Sequence, residues 1–276
     1  MEKNRNEMSF LGHLEELRWH LVRSFAAIFI FSIVLFVFQK QVYDYFLLAH
    51  LKPDFITYTW FCNAFGAIGI ESSFCTVDFP QKLQSLSLTN QLMNSLWTSA
   101  ILGVILAFPY IVYEIWKFIS PGLHEVERKS SRGFIFITSL LFFLGVLFSY
   151  YIICPMSVYF FYNYQITDLI VNNFQFESYI SIITNALLGV SLVFELPVII
   201  YFLSKAGLVT PEFLKTYRKH SFVAVLILSA IITPPDIASQ IIVSIPVMFL
   251  YEIGIYISRR VEKNRLKKEN KVKNVK

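Results

Sequence analysis

Long apolar runs are the feature that most restricts how this chain can fold. A transmembrane α-helix needs about 20 mainly apolar residues. Several stretches of the 276-residue sequence approach or exceed that length. Because an open strand in lipid would leave backbone N–H and C=O groups unpaired, we expect each run to be helical. The chain is therefore predicted to be an all-α polytopic membrane protein. The runs are approximately Leu21–Phe38, Leu96–Ile115, Phe134–Pro155, Ile180–Leu203 and Ser221–Ile257.

The overall composition agrees with this prediction. Hydrophobic residues make up 55% of the chain and charged residues 16%, whereas soluble domains average about 45–50% and 25%. The net charge of +5 is better explained by membrane orientation and contact with anionic lipid than by nucleic-acid binding. A cleavable signal peptide is disfavoured because the first apolar run is followed by Gln39-Lys40-Gln41 rather than by small residues.

The distribution of basic residues predicts the orientation. Four segments, 3–23, 117–132, 205–219 and 259–276, hold 21 of the 24 Lys and Arg residues. Segment 156–178 holds none. Because basic segments stay on the cytoplasmic side during insertion, both termini are predicted to be cytoplasmic.

Two basic segments, 205–219 and the C-terminal tail, require an even number of crossings between them. The last apolar run is therefore predicted to form two helices, separated by Thr233-Pro234-Pro235-Asp236, which gives six spans. The fifth and sixth helices are expected to be short, about 18 and 28 Å, against a hydrocarbon core of about 30 Å. Residues 1–260 are expected to form one membrane domain, and residues 261–276 a disordered basic tail.

Glu195 is an ionisable residue inside the fourth apolar run. Such residues are costly in lipid and usually face protein or a water-filled cavity. The functional interpretation is contact with a partner or a transported chain, and the structural one is a protonated carboxyl bonded within the bundle. Pro197, two residues later, and Pro109 in the second run are expected to bend their helices.

Polar residues also mark the start of the sixth helix. Asp236 is equally consistent with a helix N-cap and with a contact to a partner. Gln240 lies close to it in the sequence, and its amide needs a polar partner at this depth.

Two carboxylates lie in the predicted cytoplasmic segments. Glu16 belongs to a helix whose apolar stripe is formed by Phe10, Leu14, Leu17 and Leu21, and Glu127 lies in the basic loop after the second run. Each is most simply a solvated surface charge. Together, two carboxylates at one membrane face could bind two guanidinium groups through paired hydrogen bonds.

The three cysteines fit no zinc-binding spacing. Cys62 and Cys75 both precede the second run, where they are either disulfide-bonded, as an oxidising bacterial periplasm would allow, or two buried thiols. The sequence indicates no cofactor and no metal site. It also lacks a nucleophile elbow, a P-loop and paired catalytic carboxylates, so it does not indicate an enzyme.

Four stretches in this order resemble the TatC family of the twin-arginine protein translocase. The resemblance extends from about Met8 to Arg260. The stretches are His13-Leu14-Glu15-Glu16-Leu17-Arg18, Phe108-Pro109-Tyr110 through Trp116 to Ser120-Pro121-Gly122-Leu123 and Glu127-Arg128, Phe194-Glu195-Leu196-Pro197, and Thr233-Pro234-Pro235-Asp236 with Ser239-Gln240, Pro246 and Glu252-Ile253-Gly254.

The resemblance implies a glove-like bundle in the bacterial inner membrane that moves folded proteins with the proton gradient. It implies that twin-arginine signal peptides bind at Glu16, Phe118 and Glu127, and that Glu195 lies on a concave face. Gln240 matches the place where a single-span partner helix of the TatA or TatB type docks. Self-association in a receptor complex is also implied. Structural roles are expected at Pro109, Pro121, Pro197, Pro234, Pro235 and Asp236.

A proton-coupled transporter of small solutes, with Glu195 as the proton carrier, is the second hypothesis. Such transporters usually contain paired internal repeats around a midplane site, and no repeat is visible in the sequence. An intramembrane enzyme is the third hypothesis and lacks catalytic groups.

Overall fold

The fold is all-helical. A computed structural model describes residues 10–67, 75, 79, 83–119, 131–167, 169, 173–232 and 237–273. Within these residues the only β-type pairing is an isolated bridge between Gln84 and Gln175. The all-α prediction is therefore confirmed.

The described residues form eleven α-helices and three tighter or wider helical turns. A π-helical turn at Tyr43–Leu47 and a 3₁₀ turn at Leu48–Leu51 follow the second helix, and a second π-helical turn at Ser149–Ile153 precedes the sixth. The α-helices are α1 (Phe10–Val37), α2 (Gln39–Val42), α3 (Ile56–Ala67), α4 (Asn90–Ile119), α5 (Ser131–Phe148), α6 (Cys154–Asn163), α7 (Phe176–Phe194), α8 (Leu196–Lys205), α9 (Pro211–Thr216), α10 (Arg218–Ile232) and α11 (Ile237–Lys273).

Five helical segments in the described part of the chain are long and apolar enough to cross a membrane. The expected fifth span corresponds to α10, whose 15 residues are too few to reach across an unperturbed hydrocarbon core. The count of six spans and their orientation therefore stay predictions. The five segments are Leu14–Val37, Asn90–Ile119, Gly133–Asn163, Phe176–Lys205 and Gln240–Lys267.

The last helix is much longer than expected. α11 has 37 residues and continues to Lys273, so it extends past the expected end of the sixth span near Ile257 and through residues 261–273. The physical reason is local: residues 258–273 contain no Gly or Pro and are rich in Lys, Arg and Glu, which have high helix propensity.

The described chain divides into two compact units where one domain was expected. The first contains Met1–Phe46 and Ser87–Leu140, and the second Leu47–Leu86 and Leu141–Lys276. The division follows from packing, because α1 makes its main contacts with α4. Elsewhere α1 exposes large apolar side chains, including Phe25 and Phe29, as expected of a helix that faces lipid.

In the first unit α1 and α4 approach closely at a glycine. A side chain at Gly103 would collide with Ser32 and with the backbone of Ile28. The hydroxyl of Tyr43 donates a hydrogen bond of 3.1 Å to Thr98. Membrane helices associate in this way, through small residues and interhelical hydrogen bonds, because burying apolar surface gains little in lipid.

The second unit is built on the same principle. A side chain at Gly145 in α5 would meet the backbone of Ser191 and the ring of Phe194 in α7, and one at Gly254 in α11 would meet Ile200 in α8. A buried hydrogen bond of 2.8 Å joins Ser204 of α8 to Ser258 of α11. Close backbone approach therefore brings α7 and α8 against their neighbours.

The two prolines that were expected to bend their helices differ in their surroundings in the structure. Pro197 is the second residue of α8, and the helix is interrupted one residue before α8 begins, at Glu195. Pro109 lies inside α4, which continues without interruption. At the other end of α8, Gly207 has a φ of 76° and closes the helix with the paired capping bonds Leu208 N–H to Leu203 and Gly207 N–H to Ser204.

The segment between α2 and α4 is held by a disulfide and a buried histidine. Cys62 and Cys75 are disulfide-bonded. The side chain of His50 is fully buried, with Nε2 2.9 Å from the carbonyl oxygen of Tyr150. The hydroxyl of Tyr58 donates a 2.8 Å hydrogen bond to the carbonyl oxygen of His50. Burial lowers the pKa of His50 to about 4, so the imidazole is neutral near pH 7.

This depressed pKa predicts a loss of stability on acidification. In the unfolded chain a histidine titrates near pH 6.5, so between pH 6.5 and about 4 the unfolded state binds more protons than the folded one. Stability contributed by neutral His50 is present above pH 6.5 and falls by up to about 3 kcal/mol as the pH drops to 4. We expect His50→Gln to flatten this part of the profile, measured as unfolding temperature against pH.

The matched control is His220→Gln, because His220 is exposed in α10 and its replacement should leave the pH profile as in the parent protein. An identical slope for the parent and His50→Gln between pH 6.5 and 4 would contradict the assignment.

Candidate functional site

The first unit contains a buried carboxylate that joins α1 to α4. Glu114 is 3% exposed, and its Oε2 lies 2.5 Å from His20 Nδ1 and 3.9 Å from Arg23 Nη1. Tyr110, one helical turn earlier in α4, also hydrogen-bonds to this carboxyl. The charge of Glu114 is thus compensated inside the unit, as a buried charge requires.

A cleft of 580 Å³ opens beside this cluster. Both Glu15 and Glu16 line it, and within the described residues neither forms a hydrogen bond or an ion pair. Two unpaired carboxylates therefore remain available to a ligand. The complete lining is Gly12, Glu15, Glu16, Trp19, His20, Arg23 and Lys117.

Two of the three predicted recognition residues can be placed. Glu16 is half-buried in the cleft. Phe118 belongs to the same end of the unit, since its ring lies edge-on to His20 with centroids 6.2 Å apart. Glu127 lies outside the described residues, as do Pro121, Pro234, Pro235 and Asp236.

Sequence reasoning missed the His20–Glu114–Arg23 cluster. A signal was present, because Glu114 is an ionisable residue within a long apolar helix and such residues need a partner. It also assigned recognition to Glu16 and not to Glu15. The structure places both along one cleft, since the cleft is wide enough to include residues about 100° apart on α1.

Glu195 lies in the second unit, at the interruption between α7 and α8. It is 8% exposed, and neither carboxyl oxygen has a hydrogen-bond partner within the described residues. Its backbone carbonyl accepts hydrogen bonds from Val198 at 2.9 Å and from Ile199 at 3.0 Å. The backbone is therefore satisfied while the side chain is left without a partner.

Gln240 has a partner on the neighbouring helix. Its Nε2 donates a 3.1 Å hydrogen bond to the carbonyl oxygen of Leu226 in α10. One turn later, Ser244 lies 3.5 Å from Ser229. These contacts hold α10 against α11, which is a structural role additional to the one that the family resemblance implies.

The described residues contain no group of three His, Cys, Asp or Glu side chains arranged to hold a metal ion. These residues instead offer groups for recognition. Glu15 and Glu16 lie without described partners in a cleft, and the carboxyl of Glu195 lies without a described partner within an apolar segment.

Comparison with known proteins identifies the family. The profile described as "Sec-independent protein translocase protein (TatC)" matches residues 12–246. The chain belongs to the TatC family. It is therefore a component of a protein translocase, a non-enzymatic transport subunit and a multi-pass membrane protein.

TatC relatives match over nearly their whole length. The TatC protein of Blattabacterium sp. subsp. Periplaneta americana is 44% identical over 96% of this chain and 100% of the relative. TatCy of Bacillus subtilis is 34% identical over 92% of this chain and 90% of the relative. A crystal structure described as the twin arginine translocase receptor TatC superimposes with a TM-score of 0.67 at 31% identity, covering 91% of this chain and 99% of the other.

The isolation of Glu195 predicts that stability and transport respond differently to its replacement. A buried polar group without a partner costs about 1–3 kcal/mol. Glu195→Leu should therefore keep or raise the unfolding temperature in detergent, while protein translocation by the complete translocase in membrane vesicles falls strongly. Glu195→Gln should reduce transport less, because the amide still hydrogen-bonds.

Glu177→Gln serves as the control, since Glu177 is an exposed carboxylate at the start of the same helix and should tolerate the change. Full transport with Glu195→Leu would show that the carboxyl is dispensable.

Proposed function

We propose that this chain is the signal-peptide receptor and core subunit of a twin-arginine translocase. It binds the Arg-Arg motif of a signal peptide in the cleft lined by Glu15 and Glu16, with Glu127 as the second recognition carboxylate and Phe118 as an apolar wall. The observation that carries this proposal is a contrast between two carboxylates. The charge of Glu114 is compensated by His20 and Arg23, whereas Glu16 has no hydrogen-bond or ion-pair partner among the described residues.

The chemistry of the cleft favours arginine over lysine. A guanidinium group is a planar fork that matches a carboxylate through two parallel hydrogen bonds, whereas an ammonium group is a compact point charge. Two neighbouring arginines therefore match two carboxylates better than two lysines do, although both pairs carry the same charge.

Arg23 and Lys117 also line the cleft. Arg23 faces Glu114, so part of its charge is compensated within the protein. Arg23 and Lys117 repel the arginines of a bound peptide. A peptide is therefore expected to bind only if its arginines reach the carboxylates of the cleft.

We further propose six spans with both termini in the cytoplasm of a bacterial inner membrane. The distribution of basic residues supports this topology, with α10 as the short fifth span. Accessibility labelling at Lys215 from the cytoplasmic side and at Leu169 from the opposite side tests it, and labelling of both positions from one side would contradict it.

The intramembrane polar residues are proposed to serve the partners. Glu195 would receive a polar group of a single-span TatA- or TatB-type subunit or of the signal peptide during transport driven by the proton gradient. The face that carries Gln240 would dock a single-span helix. Support comes from the unpartnered carboxyl of Glu195, and self-association of the receptor is part of the same proposal.

Recognition should depend on Glu16 and Glu127 together. Hydrogen bonds to charged groups contribute about 1.5–3 kcal/mol, so losing one carboxylate should weaken signal-peptide binding about tenfold or more. The measurement is the affinity of an Arg-Arg signal peptide for the purified protein with Glu16→Gln, Glu127→Gln and both changes. A Lys-Lys peptide should bind weakly to every form.

The control variant is Glu212→Gln. Glu212 is an exposed carboxylate in α9, on the face that the proposed topology places in the cytoplasm. Glu15→Gln is not a neutral control, because Glu15 also lines the cleft, and we expect it to weaken binding by an intermediate amount. Unchanged affinity in the double variant, or an equal loss with Glu212→Gln, would contradict the proposed site.

A further inference from the structure

The short helix α3 lies outside the five long apolar segments, and its role is not explained by signal-peptide binding. It is packed onto the third of these segments. Thr57 Oγ1 donates a 2.5 Å hydrogen bond to the carbonyl oxygen of Tyr151, and the Tyr58 hydroxyl lies 3.3 Å from the carbonyl oxygen of Pro155. The disulfide from Cys62 to Cys75 ties the same helix to the segment that follows.

These contacts set the depth of α3. The third apolar segment begins at Gly133, directly after Arg132. About 20 helical residues cross the hydrocarbon core, so a count from Gly133 reaches the far boundary near residue 152. Tyr151 and Pro155 therefore lie within about one helical turn of that boundary, and α3 lies at the same level.

The exposed surface of α3 is divided by polarity. At 100° per residue, Ile56, Trp60, Ala64 and Ala67 occupy one sector of about 80°, and all four are exposed. Ile56 is 51% and Trp60 72% exposed. The neighbouring exposed sector carries Thr59, Asn63 and Gly66. The buried side, with Thr57 and Tyr58, faces the rest of the unit.

We propose that α3 is an interfacial anchor whose Ile56–Trp60 sector inserts into the boundary between lipid headgroups and acyl chains. Tryptophan is enriched in this zone, because its apolar ring enters the membrane while its N–H stays near water. The Thr59–Asn63–Gly66 sector then faces water. This inference depends on the depth of α3 in a multi-pass protein and not on which peptide the receptor binds.

A lipid surface fits the apolar sector better than a protein partner. The described part of this sector presents one isoleucine, one tryptophan and two alanines, whereas a stable protein interface takes about 20–30 residues from each partner. α3 also carries no charged side chain that would orient a protein partner. A bilayer needs neither a large apolar patch nor charged side chains, because it covers any apolar side chain at the right depth.

The test uses Trp60 as its own reporter. The chain has 4 tryptophans, so replacing Trp19, Trp97 and Trp116 with Phe leaves Trp60 alone. The protein is reconstituted in phosphatidylcholine vesicles that carry bromine high on the acyl chain, and fluorescence quenching by the brominated lipid is compared with quenching by aqueous iodide.

The control probe is Gly66→Trp combined with Trp60→Phe in the same background. Gly66 lies in the polar sector, about 120° around α3 from Trp60, and a side chain there has no atom within 4 Å. If this variant does not fold, Thr59→Trp takes its place. Retention of the Cys62–Cys75 disulfide, read by intact mass with and without reduction, verifies the fold of each form.

We expect bromine to quench Trp60 at least about twofold more than the polar-sector probe, with the reverse order for iodide, because an interfacial helix exposes only one face to lipid. Equal bromine quenching of both probes would contradict the proposal that only the Ile56–Trp60 sector of α3 faces lipid. Quenching of Trp60 by iodide alone would place this face in water, and protection of Trp60 from both quenchers would mean that protein covers it. Either result would overturn the anchor.

Discussion

Backbone N–H and C=O groups inside a bilayer have no water to bond, and this constraint governs the fold. Because of this constraint the apolar segments are helical. Where a helix is interrupted, nearby groups must replace the backbone hydrogen bonds that the interruption removes. The break at Glu195 satisfies this condition, because the carbonyl of Glu195 starts α8 by accepting the N–H groups of Val198 and Ile199. Pro197 is tolerated because it lies in the first turn of α8. An N–H group in the first turn of a helix has no intrahelical acceptor, so the missing N–H of proline costs no hydrogen bond there.

Polar side chains in the apolar segments meet the same constraint in three ways. Glu114 is compensated by His20 and Arg23 across two helices. Gln240 donates to a backbone carbonyl of the adjacent helix. Glu195 remains buried without a side-chain partner in the described residues. Of these three residues, Glu195 is therefore the one whose side chain bears an uncompensated desolvation cost.

Close contacts between helices of the same unit explain how each unit is stabilised internally without a large gain from apolar burial. Gly103, Gly145 and Gly254 lie where a side chain would collide with the facing helix. Dispersion contacts and short hydrogen bonds, such as that between Ser204 and Ser258, act at these points. The same rigid packing supports the cleft, because α1 and α4 must keep their spacing for Glu16 and Phe118 to stay at one end of the unit.

The sequence by itself determined the helical class and the apolar segments, because these depend on local composition and backbone chemistry. It predicted a bend at both Pro109 and Pro197, whereas only the helix at Pro197 is interrupted. The expectation of a disordered tail rested on basic composition, whereas the helix propensity of residues without Gly or Pro favours the continuation of α11 to Lys273. The cysteine spacing left a disulfide and free thiols equally open, and only the folded segment between α2 and α4 brings Cys62 and Cys75 into a bridge.

Only the tertiary structure decided which polar groups meet. His20 and Glu114 are separated by 94 positions, and no periodicity in the sequence relates residues on two different helices. The cleft also includes Glu15, which the sequence analysis had not singled out beside Glu16. Such pairings depend on the rotation and spacing of packed helices, which are set by side-chain contacts between segments far apart in the chain.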